Sequence, residues 1–121
     1  MTALVVDDAT QIRHLFARIL RGAGMQVLEA RSGVAALELA HTTPPDVVVT
    51  DIEMPGLSGI DLCRIFRDHA TLRNSLIVVV SGAGTTQRDE AVAAGCDVVL
   101  SKPCSPALLL ATIQRLLVRP S

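Results

Sequence analysis

A chain of 121 residues encloses one hydrophobic core and no more, and a 50% hydrophobic share with Phe16 and Phe66 as its only large aromatics points to an interior of Val, Leu, Ile and Ala. A net charge of −1 removes any general attraction to nucleic acid or anionic membrane. No apolar run reaches the roughly 18 residues of a membrane span, and the N-terminus lacks the basic start of a signal peptide.

The expectation is one domain over residues 1–121, soluble and cytoplasmic. Arg residues are frequent but interleaved with apolar residues and acids, as on solvated helix faces rather than a phosphate-binding patch. Cys63, Cys96 and Cys104 are odd in number and lack metal-site spacing, so they read as buried or half-buried free thiols. His14, His41 and His69 lack metal or triad spacing and read as surface or helix-packing residues.

The first strand spans about Ala3 to Asp7. Thr10 is the expected N-cap of a helix to about Arg21, with Ile12, Leu15, Phe16, Ile19 and Leu20 on one face. Gly22 and Gly24 end it. Met25 to Ala30 is a second strand, and Ser32 caps a helix carrying Val34, Leu37 and Leu39 that stops before Pro44-Pro45. Asp46 to Asp51 is the third strand. A Pro-Gly loop follows, then a helix capped by Ser58 with Ile60, Leu62, Cys63, Ile65 and Phe66. Leu76 to Val80 is the fourth strand, Thr85 to Ala94 a helix, and Val98 to Ser101 the fifth strand. Pro106 sits in the first turn of a last helix reaching about Val118. Strand and helix alternate five times with short connections, which predicts an α/β fold. The expected architecture is a doubly wound, five-stranded parallel sheet of order 2-1-3-4-5, flavodoxin-like, with ligands beyond the carboxyl ends of its strands.

Asp7, Asp8, Asp51, Ser81 and Lys102 all fall at such ends. Side by side, the first and third strands gather three carboxylates. Unit charges about 4 Å apart repel by roughly 4 kcal/mol at an effective dielectric of 20, so the cluster calls for a cation or a raised pKa. Mg²⁺, or Mn²⁺ in its place, suits oxygen ligands from Asp8, Asp51 and a carbonyl in the 52–54 loop, with Asp7 holding a metal-bound water. Lys102 and the Ser81 hydroxyl complete what resembles a phosphoryl-transfer clamp, with a carboxylate as nucleophile. Taken singly, each residue has a plainer reading: helix-start acids, a turn residue, a solvated lysine.

The set Leu4-Val5-Val6-Asp7-Asp8, Asp51 with Met54-Pro55-Gly56, Ser81-Gly82-Ala83 and Lys102-Pro103 resembles the receiver domain of two-component response regulators, over essentially the whole chain. The resemblance implies that Asp51 accepts a phosphoryl group from a sensor histidine kinase or histidine phosphotransfer protein. It implies that Asp7, Asp8 and Asp51 hold Mg²⁺ with the Glu53 backbone carbonyl, and that Ser81 and Lys102 bind phosphoryl oxygens. The receiver catalyses its own phosphorylation and hydrolysis and is a signalling module rather than an enzyme.

Two departures stand out. The family's usual aromatic switch, three residues before the Lys, is Val99 here, so activation is signalled by backbone shifts near Ser81 or is weak. Leu108 and Thr112 stand where the winged-helix class carries a salt-bridged dimer pair. Leu108-Leu109-Leu110 is then either core or an apolar patch for a downstream partner, an effector domain or a homodimer. Glu53 reads either as a gate on water and phosphodonor or as a solvated loop acid. Nothing in the chain reads as a DNA-binding element. An alternative from another class is a haloacid-dehalogenase-like, Mg²⁺-dependent phosphatase with Asp51 as nucleophile, although that family wants Asp where Glu53 stands. A flavin carrier is disfavoured by the lack of Tyr and Trp.

Overall fold

Val-rich runs with every residue buried need cover on both faces, and this decides which strands are central. A computed structural model describes residues 1–82 and 84–118. Its elements are β1 (Thr2–Val6), α1 (Thr10–Gly22), β2 (Gln26–Ala30), α2 (Gly33–Thr42), β3 (Val47–Asp51), α3 (Gly59–Asp68), β4 (Leu76–Ser81), α4 (Thr85–Ala93), β5 (Val98–Ser101) and α5 (Pro106–Leu117). All pairings are parallel and the order is β2-β1-β3-β4-β5, as expected. β3 and β4 are buried throughout, whereas β2 and β5 at the edges are mostly half-buried.

The strand alternation sorts side chains into two cores. Leu4, Val6, Val48, Ile77 and Val79 pack toward α2, α3 and α4, around Phe66, Leu62 and Ala91. Ala3, Val5, Val47, Val49, Val78 and Val80 pack toward α1 and α5, around Phe16, Leu20, Leu109 and Ile113. Phe66 is fully buried, and truncating such a ring to Ala costs about 3–5 kcal/mol.

Three local expectations change. Thr10 is the first helical residue rather than the cap: Ala9 holds the cap position with no side-chain hydrogen bond. The cause is Asp7, whose Oδ1 accepts the Ala9 N–H at 2.9 Å and turns the chain one residue early. The apolar face of α1 is narrower than its sequence stripe. Phe16, Ala17 and Leu20 are buried, while Leu15 is exposed. In α2 the buried seam is Gly33, Ala36 and Ala40, with Val34 turned to solvent, because small residues let the helix lie close to the sheet. Ser32 and Ser58 cap as expected, the latter in a reciprocal box with Asp61. Ser105 caps α5, with Pro106 in its first turn.

Candidate functional site

β1 and β3 are hydrogen-bonded neighbours, with Val6 opposite Thr50. Their register therefore delivers Asp7, Asp8 and Asp51 to one end of the sheet. One carboxylate oxygen from each lies within 4.8 Å of the others. Asp7 and Asp51 are buried and Asp8 is exposed, so the cluster is an inlet rather than a sealed cavity. Asp7 is fixed from several sides. Its N–H donates to the Ala30 carbonyl at 3.1 Å, and its Oδ1 accepts from Ala9.

β3 pairs with β4 so that Asp51 faces Val80, and Ser81 lies one residue further toward the same end. Ser81 is buried, and its carbonyl accepts the Lys102 N–H at 2.9 Å. That bond ties the end of β4 to the segment after β5. Lys102 Nζ donates to Asp51 Oδ2 at 2.9 Å. Ala83, the third residue of the Ser-Gly-Ala stretch, lies outside the described residues.

The electrostatics follow from crowding. Burial pushes the Asp7 carboxyl above its ordinary value, Asp51 and Asp8 push the same way, and the Ala9 hydrogen bond and Lys102 oppose them. For Lys102, burial pulls the ammonium down, but its hydrogen bond and charge contact with Asp51, helped by Asp7 and Asp8, outweigh it and its pKa is raised. One lysine does not neutralise three carboxylates. The remaining charge and the all-oxygen donor set fit a small, hard divalent cation.

The loop after Asp51 is shaped by two glycines. Gly56 has φ +79°, where side chains are strained. Gly59 begins α3 directly against the backbone of Asp51: an added Cβ would run into the Asp51 carbonyl. Glu53 has an exposed side chain outside the three-carboxylate cluster. It lines a neighbouring groove of about 550 Å³ with Met54, Arg64, Gln87 and Glu90. Beside Lys102, a second groove of about 400 Å³ is walled by Ile12, Leu15, Phe16, Pro103, Cys104 and Pro106. Cys63 and Cys96 are buried and Cys104 half-buried, all three as free thiols. Burial drives Cys63 up to about 12, with Cys96 beside it adding to the rise, so it stays a thiol. His14 lies 3.4 Å from Glu29, and the rings of His41 and His69 meet between α2 and the end of α3, tilted at 54° with centroids 5.0 Å apart.

Sequence reasoning missed Arg13 and Glu29, which buttress the acid pair. Arg13 donates to the Asp7 carbonyl at 3.0 Å and to Glu29 at 3.3 Å. The signal was present as one carboxylate inside the otherwise uncharged strand Gln26-Val27-Leu28-Glu29-Ala30, a residue that needs a base.

Comparisons with known proteins fall on one family. The family described as Response regulator receiver domain matches residues 3–114. The polar-differentiation response regulator DivK of Brucella ovis is 28% identical over 114 residues, covering 93% of each chain. The chemotaxis response regulator CheY4 of Vibrio cholerae has a similar structure, with a TM-score of 0.88 at 30% identity over 94% of this chain and 96% of that one. The receiver domain of Francisella response regulator 1452 gives 0.85 at 31% identity, over 95% and 94%.

Proposed function

The chain belongs to the response regulator receiver domain family, a family of signalling domains in two-component systems, and on that premise we propose that Asp51 is its phosphoacceptor. The observation that carries the reading is the meeting of three carboxylates within 4.8 Å, with Lys102 on one oxygen of Asp51.

In the reaction, a carboxylate oxygen of Asp51 attacks the phosphorus of a phosphohistidine on a sensor kinase or phosphotransfer protein. The O–P bond forms as the N–P bond breaks, and the imidazole leaves and takes up a proton. Lys102 holds Asp51 Oδ2 in place before transfer and then offers its charge to the phosphoryl group. The buried Ser81 hydroxyl lies at the adjacent strand end to meet another phosphoryl oxygen. Asp7, Asp8 and Asp51, with the Glu53 carbonyl, would hold Mg²⁺. When bound, that ion neutralises charge developing on the transferring oxygens. Gly59 lets α3 start close to Asp51 without crowding its backbone.

The acyl phosphate carries roughly −1.5 to −2 charges where the Asp51 carboxylate carried one, in a site already rich in acid. The element most readily moved by it is α4, which follows Ser81, has no side-chain cap and buries little beyond Ala91. Val99 packs half-buried against the core, so the output is carried by displacement of this backbone rather than by a swinging ring. Leu109 is core and Leu108 is exposed, which leaves Leu108 to an apolar contact with a downstream partner or a second copy.

Acetyl phosphate with Mg²⁺, followed by intact mass, should add one phosphoryl group to the wild-type chain and none to Asp51→Asn. A wild-type chain that stays unmodified by both acetyl phosphate and a phosphorylated histidine donor sinks the reading. Leu108→Glu should leave this uptake unchanged while abolishing self-association or partner binding; unchanged association removes the last-helix contact. The phosphatase alternative has no support from the family match, and turnover on simple phosphate esters is not expected.

A further inference from the structure

Glu29 is the only charged residue of β2, and bases surround its carboxylate. Arg13 Nε and His14 Nε2 stand 3.3 and 3.4 Å from Oε1, and Arg21 Nη1 stands 3.2 Å from Oε2. Arg21 turns back to its own surroundings through the Val27 carbonyl at 3.1 Å. Arg13 turns the other way. Its Nη1 donates at 3.0 Å to the main-chain carbonyl of Asp7, the residue that opens the acid cluster. The Arg13 and Glu29 side chains are 12% and 21% exposed, so water competes weakly for these bonds.

The target of that bond matters more than its strength. The Asp7 carbonyl and the Asp8 N–H belong to one rigid peptide plane. Holding the oxygen fixes the direction in which the chain leaves Asp7, and with it the position from which the exposed Asp8 carboxylate projects. The Asp7 side chain and N–H are held independently, by Ala9 and Ala30. Arg13 touches none of the three carboxylates in these bonds; its contact is with the backbone between two of them. A guanidinium suits the task, because its planar fork reaches Glu29 through one nitrogen and Asp7 through another.

We propose that Arg13, held by Glu29, is a positioning residue for the divalent-cation site: it clamps the Asp7–Asp8 peptide so that the Asp8 carboxylate meets those of Asp7 and Asp51 around one ion. The inference deepens the cation reading above and rests on it. Loss of a group that orients a metal ligand typically weakens metal affinity by about 10–100-fold.

The test titrates Mg²⁺ into wild type, Arg13→Gln, Arg13→Lys and Glu29→Gln by calorimetry, at a temperature where each is folded by circular dichroism. The Asp8 backbone amide resonance is followed in parallel. Arg13→Gln should bind Mg²⁺ at least tenfold more weakly, with the Asp8 amide displaced before any metal is added. Arg13→Lys keeps the charge but not the fork, so it should remain impaired. Glu29→Gln should weaken binding several-fold, and the double variant Arg13→Gln/Glu29→Gln should lose less than the two single losses combined. Wild-type affinity in Arg13→Gln, or full rescue by Arg13→Lys, overturns the clamp. If Arg13→Gln does not fold, Glu29→Gln decides: unchanged affinity and an unmoved Asp8 amide overturn it. A wild-type chain that takes up no Mg²⁺ sinks the cation reading instead, and the Asp8 amide in the variants still decides whether the clamp exists.

Discussion

The two ends of the sheet are built on opposite rules. At the amino ends of the strands, charge is paired and loop carbonyls are satisfied. Arg67 donates to the carbonyls of Gly95, Arg73 and Ser75 at 2.8, 2.8 and 2.6 Å, and to Asp97 Oδ2 at 2.9 Å. Asp97 Oδ2 also takes the Ile77 N–H at 2.7 Å, and Asp46 takes the Thr2 N–H at 2.8 Å. At the carboxyl ends, three acids crowd together with one lysine among them. The two helices that follow Asp7-Asp8 and Ser81 lack side-chain caps, whereas α2, α3 and α5 each have a serine. At the amino end the polar groups hold the chain; at the carboxyl end Arg13 and Glu29 hold the backbone, while three carboxylates crowd beyond what Lys102 alone neutralises, as a cation or a phosphoryl group requires.

The largest effect expected from this division lies far from the acids. Arg67→Ala removes four hydrogen bonds at once and leaves the buried Ser75 segment with an unpaired carbonyl. It should cost about 3 kcal/mol in urea unfolding. Mg²⁺ affinity and phosphoryl uptake of the chain that remains folded should not change. Loss of uptake in folded Arg67→Ala would merge the two ends into one cooperative unit and break the comparison.

The two ends were also unequally legible. The strand-end acids, the lysine and the sheet order were readable because they depend on local pattern: Val runs closed by polar residues, and short connections that permit few topologies. The Arg67 network was not readable, since it joins a residue of α3 to two loops as far along the chain as residue 97, and no periodicity reports such a meeting. Thr10 was a reasonable cap by type, but Asp7 had already taken the Ala9 N–H and moved the helix start. Leu15 and Val34 continue apolar stripes at helical spacing yet face solvent, because the stripe does not say how wide the neighbouring surface is. Glu53 has two readings in the sequence, a gate on water and phosphodonor or a solvated loop acid; its side chain is exposed, outside the three-carboxylate cluster, and lines the adjoining groove.

A middle-sized effect comes from relieving the acids. Asp7→Asn keeps an oxygen for the Ala9 N–H and removes one of three charges. Near neutral pH it should stabilise the metal-free chain by about 2 kcal/mol, on the scale of one partly screened repulsion in this range. The pH dependence has a definite sign. The folded-state pKa of Asp7 is raised, so the folded chain binds the proton more readily than the unfolded one. The penalty is complete above the raised value and fades as pH falls through it toward 3.8. The advantage of Asp7→Asn should shrink over that acid window. Lys102 acts oppositely: the stability it brings holds at neutral pH and is lost only as pH rises past about 10.5 through its raised value. Mg²⁺ should stabilise the wild type more than Asp7→Asn. Equal stability of the two chains without metal at pH 7 would mean that the carboxylates are already relieved.

The smallest effect sharpens the contrast in caps. Ser105→Ala should cost about 1 kcal/mol, the usual worth of a serine cap, since its Oγ accepts the Leu108 N–H at 3.0 Å. Ala9→Ser is the reverse experiment. Ala9 already has the extended backbone of a cap residue, φ −81° and ψ 106°, so a hydroxyl there needs no rearrangement, and the Asp7 bond to its N–H is kept. It should gain up to about 1 kcal/mol, read as a higher midpoint in urea. The helix-start N–H groups that the introduced hydroxyl would satisfy now lend positive potential to the neighbouring acids. The gain in folding should therefore come with a small loss of Mg²⁺ affinity, less than about threefold for so exposed and screened a field. Stability and binding moving in opposite directions at one residue is what an end reserved for ligands requires. No gain in stability would show that the exposed Asp8 carboxylate already serves those N–H groups in the metal-free chain, and the carboxyl end would then be as well satisfied as the amino end.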